Sequence, residues 1–101
     1  MNQPVTLIRR PTLRLNPHDD VVIAARPVAA GARIEEEGIT CVDAIPAGHK
    51  LAVRAIAKGD PVRRYNQIIG FATQSISVGQ HVHTHNLGFE MFDRQYDVGI
   101  D

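Results

Sequence analysis

The sequence has few of the residues on which several common functional sites depend. Its single cysteine, Cys41, excludes an intramolecular disulfide framework and a cysteine-cluster zinc site. Since free cysteines are usually buried, we expect Cys41 to be a core residue rather than a nucleophile. Eleven basic residues are balanced by eleven acidic ones, and the pairs Arg9-Arg10 and Arg63-Arg64 lack the interleaved aromatic residues on which bases stack. The composition therefore argues against nucleic-acid binding.

Long apolar runs are absent as well. No segment approaches the length of a membrane-spanning helix, and the N-terminus lacks the apolar core of a signal peptide. We therefore expect no membrane contact and a cytoplasmic location. A chain of 101 residues is expected to form one domain with a modest core.

The apolar residues that are present occur in short runs typical of β-strands. Residues 21–25 form a continuous apolar run, which predicts a buried and central strand. Further strands are expected at 13–15, 39–42 and 71–76, whereas the acidic run 35–37 predicts a solvated loop rather than a turn of helix. Six prolines and eight glycines lie mostly between the apolar runs. These patterns predict a mainly β domain with short connections.

A short motif recurs four times along the chain. It consists of an apolar residue, two small or polar residues, a glycine, two further residues and a second apolar residue. The four copies occupy residues 28–34, 45–51, 56–62 and 76–82. We expect each copy to be a strand end, a tight turn whose glycine has positive φ, and a returning strand.

The last copy leads into the segment richest in potential chemistry, residues 79–86. His81, His83 and His85 alternate there, so an extended backbone would direct all three imidazoles to one face. Imidazole binds zinc, iron, copper and nickel, which makes this a candidate metal site. On a straight strand, however, the first and last of the three lie roughly 13 Å apart. Both can ligate one ion only if the strand bends, and the alternatives are a hydrogen-bonded polar face or a proton-transfer role.

Other polar groups lie in turns. His49 and Lys50 follow a glycine of the repeated motif, and side by side they could hold a carboxylate or phosphate, although an ordinary exposed turn has the same pattern. Asp19 and Asp20 end a turn that begins near Pro17, and we expect them to cap that turn.

The turns and the histidine segment, taken in order, resemble a known family. The combination of Gly-His-Lys at 48–50, Ala-Lys-Gly-Asp-Pro-Val at 57–62 and Gly-Gln-His-Val-His-Thr-His-Asn at 79–86 is similar to the N-terminal SAF domain of altronate/galactarate dehydratases. The resemblance extends over about residues 13–87. It implies a β-clip fold like that of type III antifreeze proteins, made of short strands and tight turns.

The resemblance also sets domain boundaries. We expect a flexible leader at 1–12, the SAF domain at 13–92 and a polar tail at 93–101. The apolar segment 87–92 is expected to close the core of the domain, although docking on a partner or forming a homodimer would also cover it.

The activity implied by the resemblance is that of a hydro-lyase, which eliminates water from a sugar acid. In this family the SAF domain precedes a much larger part that carries most of the catalytic groups, so we expect the chain to act with a large subunit or domain and not alone. Iron is the implied cofactor, held mainly by that larger part, with another divalent metal as the alternative.

The resemblance also suggests roles for individual residues. His83 and His85 are the predicted catalytic residues, and His81, His83 and His85 are the predicted metal ligands. The predicted substrate-binding residues are His49, Lys50 and Asn86.

Two other functions agree with the same residues. The chain resembles the small subunit of a sulfolactate sulfo-lyase, which also works with a separate large subunit. SAF domains also serve as non-catalytic binding modules, for example in sialic acid synthases, where they bind sugars or protein partners.

Overall fold

The computed structural model describes residues 11–89 of the chain, and that part is built almost entirely of short strands. Its one 3₁₀ helix spans Glu35–Glu37. The strands are β1 (Thr12–Leu13), β2 (Val21–Ala24), β3 (Arg33–Ile34), β4 (Ile39–Thr40), β5 (Lys50–Ala52), β6 (Pro61–Arg64), β7 (Gln67–Ala72), β8 (His81–Val82) and β9 (Leu87–Gly88). The prediction of a mainly β domain is confirmed.

A four-stranded antiparallel sheet in the order β1-β2-β5-β8 lies at the centre of the fold. The hairpin β3-β4 and the three-stranded sheet β6-β7-β9 complete the structure. Strand β2 lies between β1 and β5 in this sheet. Apolar side chains cover both of its faces, as its continuous apolar run predicts.

Two apolar clusters flank the central sheet. Neighbouring residues of one strand, Val21 and Val22, belong to opposite clusters, as do Ala52 and Leu51 of β5. The first cluster contains Val21, Ala52, Ile56, Val62, Ala72, Ile76, Val82 and Leu87. The second contains Val22, Ala24, Val28, Ile34, Ile39, Cys41, Ile45 and Leu51.

Cys41 lies inside the second cluster, as expected. Its side chain is buried, and that burial raises the pKa of the thiol, with a smaller contribution from the charge of Asp43. The thiol is therefore held in its unreactive form, which agrees with a core role.

The repeated motif forms four turns of one design. The central glycine of every copy has a φ between 81° and 88°, as predicted for a tight turn. The backbone N–H of each glycine donates to the carbonyl of a small buried residue, and the N–H of that residue donates back to the turn. The small residues that receive the turns are Cys41, Ala24, Ala72 and Ala52.

The four copies also associate in pairs. Val28 and Ile45, the first apolar residues of the first two copies, form an antiparallel bridge, and Ile56 and Ile76 of the last two copies form another. The second apolar residue of every copy is buried. These residues are Ile34, Leu51, Val62 and Val82.

The hairpin β6-β7 was not predicted from the sequence. The strand expected at 71–76 instead lies at Gln67–Ala72, and it follows a turn in which Tyr65 and Asn66 both have left-handed conformations, with φ values of 60° and 58°. No glycine marks this turn. It is held instead by Asp19, whose Oδ1 accepts a 2.8 Å hydrogen bond from the backbone N–H of Asn66.

Asp19 and Asp20 therefore do not cap their own turn, as the sequence suggested. Asp20 is buried, its Oδ2 accepts a 2.7 Å hydrogen bond from the N–H of Arg63, and its other oxygen pairs with Arg54. Both carboxylates connect the start of β2 to the hairpin more than forty residues later.

Two smaller expectations are also corrected. The acidic run Glu35–Glu37 is a 3₁₀ helix, which ends at Gly38 in the left-handed region, and not a solvated loop. Strand β1 begins at Thr12, inside the segment expected to be a leader. Residues 1–10 and 90–101, with most of that leader and the whole polar tail, lie outside the described part of the chain. No helix between residues 11 and 89 is long and apolar enough to cross a membrane.

Candidate histidine site

The pairing of β5 with β8 assembles the site. The two strands are antiparallel, with Lys50 opposite Val82 and Leu51 opposite His81. Continuing this register by one residue places His49 opposite His83. Strand β8 ends at Val82, however, and the chain then bends and turns through residues 84–86. The extended run through His85 expected from the sequence is therefore wrong.

Three imidazoles stack at this junction. His49 Nδ1 and His81 Nε2 are 2.8 Å apart, in a hydrogen bond that requires one of them to carry the proton. The ring centroids of His49 and His83 are 4.2 Å apart, and those of His81 and His83 are 5.5 Å apart. One ring nitrogen from each of the three residues lies within 4.8 Å of the other two.

This group overlaps with the predicted metal set but is not identical to it. The structure brings His81 and His83 close together, as binding to one ion requires. It adds His49, which the sequence suggested as a substrate-binding residue. His85 is a neighbour rather than a member. Its ring is exposed, 5.3 Å from that of His81 and tilted by 38°.

Asn86 holds the backbone of the histidine segment. Its side-chain Oδ1 accepts a 2.9 Å hydrogen bond from the N–H of His83, and its Nδ2 donates a 2.8 Å bond to the carbonyl of His81. The residue is completely buried, with an exposed fraction of 0%. The prediction that Asn86 contacts substrate is therefore corrected: the amide is enclosed, and both of its polar atoms are used by the backbone.

Asp43 supports the same segment from a different element. Its Oδ2 accepts a 2.9 Å hydrogen bond from the backbone N–H of His81. The segment that follows β4 reaches this position because the N–H of Val42 donates to the carbonyl of Gly79. No sequence pattern indicates a role for Asp43, since the contact joins residues 38 positions apart.

The electrostatics favour uncharged imidazoles. Burial lowers the pKa of His81, and the charges of His49, His85 and His83 lower it further, against an opposing effect of Asp43. The pKa of His83 is also lowered, by desolvation first and then by the charges of His49, Lys50 and His85. Since an ordinary histidine already titrates below pH 7, both rings are mainly neutral at physiological pH.

Lys50 adds a cation to the border of the site. It is half-buried at the start of β5, and its pKa is lowered by burial and by the charge of Arg64. The site therefore combines neutral imidazoles, which can ligate a metal or accept a proton, with one nearby cation, Lys50, whose charge acts on His83.

Comparisons with known proteins agree with the motif resemblance. The family described as "Altronate/galactarate dehydratase SAF domain" matches residues 10–90. Altronate dehydratase of Bacillus subtilis is 34% identical over 85 residues, which is 82% of this chain and 17% of that protein. Altronate dehydratase of Escherichia coli is 32% identical over 83 residues, with 80% and 17% covered.

A second kind of relative matches a shorter stretch. The (2R)-sulfolactate sulfo-lyase subunit alpha of Chromohalobacter salexigens is 53% identical over 45 residues, which is 45% of this chain and 48% of that subunit. This chain thus spans a small part of the dehydratases and about half of the sulfo-lyase subunit. The family match covers most of the chain, including all four glycine turns and the histidine cluster. The chain belongs to the altronate/galactarate dehydratase SAF domain family.

Proposed function

We propose that this chain is the SAF component of a hydro-lyase of the altronate/galactarate dehydratase type, which removes water from a sugar acid together with a larger catalytic subunit or domain. The observation that carries the proposal is the half-exposed histidine cluster within the region that matches the family. The matched dehydratases are also much longer than this chain, which supports a larger partner.

The reaction requires groups of the kind that the site offers. Elimination of water removes a proton from the carbon next to the carboxylate and releases hydroxide from the following carbon. His85 is exposed beside the cluster and is not one of the three converging imidazoles, so its ring can exchange protons with the reacting groups. His83 is mainly neutral and can accept a proton only while its acceptor nitrogen binds no metal ion. Lys50 is suited to bind the carboxylate, on which negative charge develops.

The iron implied by the family fits the donor set. Three imidazoles, those of His49, His81 and His83, have ring nitrogens that converge, and imidazole is a common ligand of iron and of other divalent transition metals. When bound, such an ion supplies a Lewis acid for the carboxylate or the departing hydroxyl group. We propose that the catalytic iron of the family is held mainly by the larger part of the enzyme, so that an ion bound by these three imidazoles is additional to it.

The role of the two histidines can be tested in the complete enzyme. His83→Ala and His85→Ala are each combined with a large subunit or domain of the dehydratase family, and sugar-acid dehydration is measured. We expect turnover to fall by about 10²–10⁴-fold, the usual contribution of a general acid or base. Unchanged turnover for both variants would contradict the proposed role.

A matched control separates chemistry from folding. His18 is an exposed histidine in the turn before β2, away from the cluster, and His18→Ala should leave turnover unchanged. The thermal midpoint of each isolated variant should remain close to that of the unmodified chain, since neither His83 nor His85 belongs to the apolar clusters.

Release of sulfite from sulfolactate is the second candidate activity. The 53% identity to a sulfo-lyase subunit alpha favours it over the matched stretch. The two activities are separated by offering the reconstituted enzyme a sugar acid and (2R)-sulfolactate in parallel, and by measuring dehydration and sulfite release. A chain that co-purifies with no large subunit and has neither activity would instead be a non-catalytic binding module.

A further inference from the structure

We propose that His49, His81 and His83 bind one divalent transition-metal ion within this chain, and that an anionic oxygen of the substrate completes the coordination. This inference rests on the proposed function and refines it in two respects. It states that the chain binds the ion through these three imidazoles without the larger subunit, and it assigns the remaining coordination position to the substrate.

The distances between the ring nitrogens suit a shared ion. Two ligands that each bind at about 2 Å are separated by at most about 4 Å. The three ring nitrogens already lie within 4.8 Å of one another, and the nitrogens of His49 and His81 are only 2.8 Å apart. Small rotations of the side chains bring all three within the required range.

The rings must change orientation for an ion to bind. The rings of His49 and His83 are inclined by only 21°, and those of His81 and His83 by 9°, so their in-plane lone pairs do not meet at one point while the rings are stacked. Rotation of the side chains turns the nitrogens toward a common point, and the hydrogen bond between His49 Nδ1 and His81 Nε2 is given up when both nitrogens bind the ion.

The backbone that carries the ligands is already fixed. His49 directly precedes β5, His81 begins β8, and the ladder between these strands sets their separation. Asn86 holds the main chain of His81 and His83, and Asp43 holds that of His81. Metal binding therefore requires side-chain rotation but no rearrangement of the main chain, which lowers its entropic cost.

The chemistry of the site indicates which ion and which further ligand it takes. An all-imidazole set favours zinc, iron, cobalt, nickel or copper over magnesium or calcium, which prefer oxygen ligands. Three protein ligands leave a position open, as in catalytic metal sites. Because the ion is positive, the open position favours a negatively charged oxygen, such as that of a carboxylate.

Metal titration of the whole chain tests the inference without any turnover. The chain is stripped of metal with a chelator and titrated with Co²⁺, while visible absorption and calorimetric heat are recorded. We expect one ion per chain. His49→Ala and His83→Ala should each weaken binding by more than the about 10–100-fold that follows loss of an outer-shell partner. His85→Ala and His18→Ala should bind as the unmodified chain does.

Two results would overturn the site. One is the absence of saturable Co²⁺ binding by the unmodified chain, and the other is an equal loss of affinity in His85→Ala and His49→Ala. If a variant unfolds, paramagnetic broadening of histidine resonances in the unmodified chain identifies the ligands directly. If the chain binds no metal, the turnover test of His83 and His85 still decides the proposed function. If the chain binds metal but the His83 and His85 variants keep full turnover, only the catalytic proposal is contradicted.

Discussion

At the scale of single residues, the histidine site depends on side chains that touch no ligand. Asn86 is buried within the segment that it holds, and its amide joins the backbone groups of two alternate residues, His81 and His83. An amide is the side chain best suited to this task, since it offers a donor and an acceptor in fixed geometry. The spacing of the imidazoles is thus set through the main chain by a residue three positions beyond His83.

Replacing this amide should weaken both the fold and the site. Asn86→Ala leaves the N–H of His83 and the carbonyl of His81 without partners, and we expect a loss of about 1–3 kcal/mol in the free energy of unfolding. Urea unfolding measures that loss. Co²⁺ affinity should fall by about 10–100-fold, as for other outer-shell changes. The exposed neighbour Thr84 provides the control, because Thr84→Ala should change neither quantity. Unaltered metal affinity in a folded Asn86→Ala chain would show that the amide is not a positioning group.

At the scale of the elements, the four glycine turns are alike in backbone but not in surroundings. A Cβ placed on Gly31 has no other atom within 4 Å, whereas one on Gly79 would lie 2.1 Å from the carbonyl oxygen of Thr40. The turn at Gly79 is thus pressed against the end of β4, next to the segment that carries Asp43. Close backbone approach, and not only positive φ, requires glycine at this position.

Two alanine substitutions separate these requirements. Gly31→Ala should lose about 1–2 kcal/mol, the cost of a left-handed conformation for a residue with a Cβ. Gly79→Ala has similar backbone strain, because φ is 83° at Gly79 and 86° at Gly31. In addition, its Cβ clashes with the carbonyl oxygen of Thr40. We expect it to lose more than about 4 kcal/mol or to fail to fold. Denaturant unfolding compares the two, and equal losses would mean that the contact with Thr40 relaxes freely.

Among the elements, the glycine turns can be predicted from the sequence, whereas the pairing of β5 with β8 cannot. The turns at Gly48 and Gly79 are predictable because a glycine's positive φ is a local property. The position of His49 against His83 depends on the register of β5 and β8, which is fixed by packing of Leu51 and Val82 into opposite clusters. Recognising that the second and fourth copies of the motif supply neighbouring strands would have been needed to predict it.

At the scale of the whole molecule, the histidine cluster influences stability as a function of pH. The pKa values of His81 and His83 are lowered in the folded state, so the unfolded chain binds more protons around and below pH 6.5. Their contribution to stability is therefore complete above the unfolded pKa and is lost as the pH falls through the folded one. Acid should destabilise the protein through the histidine cluster in the absence of bound metal.

Thermal unfolding of the metal-free chain between pH 8 and pH 5 measures this effect. The midpoint should fall with decreasing pH, and it should fall less in His83→Gln, in which the amide cannot become charged. The two proteins differ at this one side chain, so the difference between the two curves isolates the histidine. Parallel curves would mean that His83 titrates alike in the folded and unfolded chains.

Because the copies of the repeated motif associate in two pairs, a metal ion bound at the histidine cluster would link one pair to the other. The first two copies are bridged to each other and the last two likewise, and His49 belongs to one pair while His81 belongs to the other. These histidines are 32 residues apart in the chain. Because such a site is not preformed in the unfolded chain, ligation by both would stabilise the folded state by the free energy of metal binding, whereas a disulfide also constrains the unfolded chain. A chain with a single cysteine would thereby have a reversible cross-link between its two halves, present only when metal is bound.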